Sequence, residues 1–279
     1  MKMLLMARFT FREALHKRVV HGVAVLTLAF VLLFGLLVWL AFRELPQASA
    51  YANESFFHSM VGLQFTLLGM NGVSMIGALL AVFLSVGTIS SEVEAGTLHA
   101  IVPKPLSRRD VLWGKWLGFA VMLAVYVFLL AVVVSGIVAF FSANWSLLIL
   151  PSALLLVLQS LVLLSLSVLG TTFLPTVANG VVVFGLYSVA MMSGFMEQLG
   201  SLIRNEAMVS VGIAVSLLVP SDAMGKLSAS LLQEGRSYIE RAGPFIVNSQ
   251  PSIWMVAYAV GYAAVLLLVA QAIFSRRDL

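Results

Sequence analysis

Catalysis, metal binding and ion coupling all require polar side chains that converge, and few residues of this chain have types and spacings that allow it. Its four histidines, His16, His21, His58 and His99, are far apart in sequence. There is no His-Glu-x-x-His pair, no Gly-x-Ser-x-Gly elbow and no cysteine, so zinc-protease, serine-hydrolase and thiolate chemistry have no visible carriers. The Gly-Lys pairs at 114–115 and 225–226 lack both the upstream glycine and the following Ser or Thr of a phosphate loop. If ATP drives this protein, another chain must bind it. Within the long apolar stretches only His21 and Glu197 are ionisable. A charge at bilayer depth costs about 2.5–3.5 kcal/mol on insertion scales and so marks function when it occurs. Each lies near the end of its stretch: the simplest reading of His21 is an interfacial residue, and of Glu197 a side chain reaching the headgroups. The sharper reading makes Glu197 an outer gate. Pro175 has no carboxylate beside it, which disfavours proton coupling at a broken helix.

The densest polar cluster is "SEVEAGTLHAIVPKPLSRRDVLWGK" at 91–115, with three acids, four basic residues and two prolines. Ser91 with Glu94 fits a capping box. Gly96 permits a sharp redirection that a Cβ would resist. Thr97 to Val102 then predicts a short helix exposing Leu98, Ile101 and Val102, stopped by Pro103 and Pro105. Ser107 with Asp110 offers a second cap. The product is a stubby helix with an apolar ridge and a charged rim. It suits either the transmission of force from a docked soluble partner or an ordinary loop that obeys membrane topology.

The elements around these residues belong to a membrane. Mean hydropathy is +1.05 and only 10% of residues are charged, against about a quarter in soluble domains. A spanning helix needs roughly 20 apolar residues, and six stretches supply them, near 19–42, 59–89, 117–141, 147–170, 180–199 and 252–274. An even number of spans places both termini on one side. Eleven of the 16 Lys and Arg lie in 1–18, in the 91–115 cluster and in the C-terminal tail, which makes those segments cytoplasmic. "QASAYA" at 47–52 resembles a signal-peptidase site, but the preceding apolar run of about 24 residues exceeds the 7–15 of a signal peptide. The basic residues are few and flank apolar runs, so nothing points to nucleic acid.

Residues 1–18 predict an interfacial amphipathic helix, with Leu4, Ala7, Phe11 and Leu15 on one side and Arg8, Arg12 and His16 on the other. The expected architecture is all-α: that helix, then a single six-helix transmembrane domain over 19–279. The domain carries a cytoplasmic loop at 90–116 and an extracytoplasmic segment at 200–251. In the latter, "AMVSVGIAVSLLVP" is too short to span and predicts an interfacial or re-entrant helix. A further helix follows it, with Ser221 placed as N-cap. Four basic and four acidic residues balance across 201–250, a surface suited to an outer partner protein.

Glu94, Gly96, Thr97 and Leu98, then Pro105, Leu106, Ser107 and Arg108, then Gly114 and Lys115 resemble the cytoplasmic loop of permeases in the type-2 ABC exporter family. The layout over the whole chain is similar. "VPSDAMGKL" at 219–227 further resembles an element of the small permeases typified by nitrous-oxide reductase maturation, from which Met224-Gly225-Lys226 departs. The resemblance implies a permease subunit in a bacterial-type inner or plasma membrane. Glu94, Gly96, Thr97, Leu98, Ile101, Val102, Pro105, Leu106, Ser107, Arg108 and Lys115 would couple it to a separate ABC ATPase. ATP and Mg would sit on that ATPase, no cofactor on this chain, and a second permease copy would complete a homodimer. An ATP-independent secondary transporter or channel, and a membrane scaffold, are the alternatives.

Overall fold

The computed structural model describes residues 2–16, 18–48, 54–85, 108–236, 247 and 250–276. The coupling positions Glu94, Gly96, Thr97, Leu98, Ile101, Val102, Pro105, Leu106 and Ser107 lie outside the described residues, and so does the whole Ser91–Glu94 capping box. Among the described residues there is no strand, and the helices are α1 (Lys2–His16), α2 (Arg18–Ala48), α3 (Glu54–Ser85), α4 (Arg108–Ser142), α5 (Ile149–Gly170), α6 (Thr176–Ile203), α7 (Glu206–Leu218), α8 (Ser221–Leu232) and α9 (Trp254–Arg276). Six of these, α2 to α6 and α9, are long and apolar enough to cross a membrane. In lipid this is the expected outcome, because only a helix or a closed barrel satisfies its own backbone there.

The spans outrun the apolar stretches that announce them. α4 begins at Arg108, not near 117, since no proline follows Pro105 in the run and single glycines are tolerated inside a helix. Hydropathy marks the part in hydrocarbon; the helix continues for as long as its sequence tolerates it.

α5 is the most deeply buried span and α2 the least. α3, α4 and α5 pack on one another as the core, with Leu67, Leu80, Phe119, Leu123, Val127, Leu156 and Leu163 all fully enclosed. α2 turns Leu28, Leu32, Leu33 and Leu36 outward, which costs nothing where the solvent is acyl chain. Trp113 donates to Gln271 (2.7 Å) and Trp116 to Ser165 (3.0 Å). These bonds tie the start of α4 to the end of α9 and of α5. The beginning of α4 and the end of α9 thus share one end of the bundle, called here the terminal end.

α1 lies against α4 at that end. Ala7 and Thr10 are buried, Phe11 is half-buried, and Arg8 and Arg12 are exposed. Contact is close because Gly118 has no side chain: a Cβ there would lie 2.7 Å from the Ala7 carbonyl oxygen and 2.9 Å from Thr10 Cβ. Arg8 and Arg12 thus face away from α4, and Thr10 joins the buried face. Leu15 lies in the last turn of α1.

Candidate functional site

The segment between α6 and α9 forms the site. α7 leaves the end of α6 opposite the termini and runs back along it. Two glycines allow the approach: a Cβ on Gly200 would meet Met208, and one on Gly212 would meet Glu197. Ser193 donates to the Gly212 carbonyl at 3.1 Å. Asn205 caps α7 by accepting from the Ala207 and Met208 N–H groups. At Val219-Pro220 the chain turns, and α8 makes an angle of 111° with α7. α8 then rises along α5, where Ser152 and Ser228 exchange side-chain to carbonyl hydrogen bonds of 3.1 and 3.0 Å. The short helix expected in 201–250 is thus half of a re-entrant pair.

One detail of the sequence reading is corrected. Pro220, not Ser221, is the N-cap of α8. Proline has no N–H to continue α7, yet its φ of −71° suits the start of a helix, so the boundary falls one residue earlier.

A helix broken inside a bilayer leaves carbonyls that water cannot reach. Tyr258 donates to the Leu217 carbonyl at 2.6 Å and Tyr262 to that of Leu218 at 2.7 Å, both from α9. Replacing both tyrosines by Phe is expected to cost about 1–2 kcal/mol, seen as an earlier midpoint in SDS unfolding followed by circular dichroism.

At the turn three charges meet. Lys226 Nζ lies 2.5 Å from Glu197 Oε2, as a hydrogen bond, and 2.8 Å from Asp222 Oδ2, as an ion pair not aligned as a hydrogen bond. Lys226 and Glu197 are each 5% exposed. Reading Glu197 as a side chain reaching the headgroups is therefore replaced: it is enclosed and joins α6 to α8. The small residues Gly194 and Gly212 let the cluster sit between helices, since a Cβ on Gly194 would overlap the Asp222 carboxylate.

Beside the cluster lies a cavity of about 310 Å³ between α3, α5, α6 and α8. Its polar wall is Asn71, Ser74, Gln159, Tyr187, Gln198, Asp222 and Lys226. Gln159 Nε2 donates to Ser74 at 2.7 Å. Gln159 is the eleventh of the 22 residues of α5, and Asn71, Ser74 and Tyr187 fall near the middle of α3 and α6. The cavity is thus at half-height of three spans.

A transmembrane bundle with a re-entrant pair before its last span can host many activities, and the family decides among them. The family model of the ABC-2 family transporter protein matches residues 6–279. The chain belongs to that family. No curated protein matches it. As an ABC-2 transporter chain it is the membrane, or permease, component of an ABC transporter.

Among the residues expected to couple this ABC-2 permease to a partner, Arg108 is the first residue of α4 and Lys115 is a buried residue of the same helix, 5% exposed. Asn71 and Gln159 carry no signal in the sequence, and Asp222 and Lys226 enter it only inside the "VPSDAMGKL" element, without a role. Asn71 and Gln159 are uncharged amides inside apolar runs, and the i, i+4 spacing of Asp222 and Lys226 is common on any helix. The available signal was Glu197: a carboxylate in an apolar run implies a basic partner.

Proposed function

We propose that the chain is the permease subunit of an ATP-driven ABC exporter, acting as a homodimer with a separate ATPase that binds ATP and Mg and docks on the 90–116 loop. The observation that carries the reading is family membership over residues 6–279 in a chain with no phosphate-loop motif of its own. The loop joins α3 to α4, which pack on each other, and α3 supplies Asn71 and Ser74 to the cavity wall. A push at the loop would reach the cavity through a single helix. Glu197 serves in this scheme as a gate residue, holding α8 against α6 until the bundle rearranges. The small permeases of nitrous-oxide reductase maturation remain the nearest subtype on the "VPSDAMGKL" element, and the surface of 201–250 would meet an extracytoplasmic partner if that partner is what the ATPase drives.

The test is co-purification of the tagged chain in mild detergent from its host, with and without Leu98→Asp plus Ile101→Asp. The intact chain is expected to bring down an ATPase. The double variant should insert normally, lose the ATPase and lose transport by tenfold or more. Recovery of the ATPase with both would remove the coupling-helix assignment.

A second reading has one observation in its favour. The bent pair α7–α8 holds Asp222 beside Glu197 inside the bundle, an arrangement that also serves ion-coupled transport. Transport persisting in proteoliposomes that lack any ATPase would decide for it.

A further inference from the structure

The side of α1 that holds Ala7 and Thr10 is covered by protein, since both lie against Gly118 of α4 and both are buried. The opposite side is not an ordinary water-facing surface. At 3.6 residues per turn, Arg8, Arg12 and Phe9 fall in one sector of about 100°, centred opposite Ala7 and Thr10. Both arginines are exposed, and Phe9 is 64% exposed. Two guanidinium groups beside an uncovered phenyl ring suit a boundary where phosphate meets acyl chain.

Depth along α4 identifies that boundary. α1 is level with Gly118, which stands at the start of the apolar stretch of α4, one turn beyond its last charged residue, Lys115. Arg108, the first residue of α4, is ten positions away and so about 15 Å further out. A soluble partner seated on the 90–116 loop would occupy that outer level. The level of α1 is the one at which lipid headgroups begin. Charge then selects among headgroups. Residues 1–18, 91–115 and 276–279 hold eleven basic residues against five acidic ones. However these groups pair among themselves, the terminal end keeps an excess of positive charge, and anionic lipid attracts such segments.

We propose that the outward sector of α1 binds an anionic phospholipid, with its phosphate on Arg8 and Arg12 and an acyl chain against Phe9. The site is independent of the exporter reading. It lies on a helix packed against α4, the span that the 90–116 loop leads into.

Affinity is read by native mass spectrometry of the full-length chain in mild detergent. The probes are dioleoylphosphatidylglycerol and the phosphatidylcholine with the same acyl chains. The anionic lipid is expected to bind about tenfold more tightly. Arg8→Gln plus Arg12→Gln should abolish that preference with the SDS unfolding midpoint retained, because both side chains are exposed. If the double variant fails to fold, Arg8→Gln alone should reduce the preference about fivefold. Arg43→Gln removes an equal charge near the far end of α2 and should leave the preference intact. Phe9→Ser should weaken both lipids alike. Glycerol phosphate, which has the headgroup without acyl chains, should not compete; competition would overturn the proposal by making the ligand a free phosphate. Equal binding of the two lipids by the wild type would overturn it as well. So would a preference kept by the folded double variant, and loss of the co-purified ATPase in that variant would then assign the sector to a protein partner.

Discussion

Lys226→Met is expected to destabilise the chain by about 3–5 kcal/mol, the cost of breaking a buried ion pair by removing one partner. The reason is not the loss of attraction alone. Lys226 pairs with both Glu197 and Asp222, so its removal takes the ammonium from between two carboxylates in a site that lipid and protein enclose. At an effective dielectric of about 20, like charges about 4 Å apart repel by about 4 kcal/mol. The consequence is also topological. Glu197 is on α6 and Asp222 on α8, so repulsion pushes the re-entrant pair away from the span it packs on. The expected readout is a large fall in the SDS midpoint, with α8 becoming accessible to a membrane-permeant thiol reagent in a Ser230→Cys background. The triple variant Glu197→Gln, Asp222→Asn, Lys226→Met keeps the shapes and removes every charge. It should return to within about 1 kcal/mol of the parent, since neutral replacements of buried ion pairs are often tolerated. If the triple variant is as unstable as the single one, the cluster acts through packing and not charge.

That comparison also separates what the sequence discloses from what it does not. The six spans and the helix α1 are legible because hydropathy and amphipathic spacing act over long windows, and lipid permits few alternatives to a helix. The re-entrant pair is legible in outline, because "AMVSVGIAVSLLVP" is apolar yet too short and ends in a proline. Its partners are not. Nothing local says that Lys226, in a mixed segment beyond the fifth span, reaches back 29 positions to Glu197. Nor does anything local say that Gln159 faces Ser74 across 85 positions. Such pairings are set by how the helices rotate about their axes, and in uniformly apolar spans the hydrophobic pattern barely constrains that rotation. Close-packed glycines do constrain it, as Gly118 does for α1 and Gly200 and Gly212 do for α7, but a glycine in a transmembrane run identifies a close approach without naming the neighbour.

Gly194 provides the sharpest test of that rotation. Gly194→Val is expected to cost about 2–4 kcal/mol, from overpacking compounded by displacement of a charged group. An added Cβ would coincide with the Asp222 carboxylate and lie 2.5 Å from its Cγ. A flexible side chain could ordinarily swing aside, but this one is held by Lys226 at 2.8 Å and turned toward α6 by the packing of α8 on α5. Moving it either breaks the ion pair or shifts the helix. The two causes separate in a double-mutant cycle with Asp222→Gly. That change creates the missing space and leaves Lys226 with Glu197, a one-to-one pair, so on its own it should be mild. Combined with Gly194→Val it should restore most of the lost stability, with a coupling of about 1–3 kcal/mol as befits residues in direct contact. Simple additivity would mean that Gly194 does not face Asp222. The α6–α8 register, and the placing of Glu197 beside Lys226, would then have to be redrawn together.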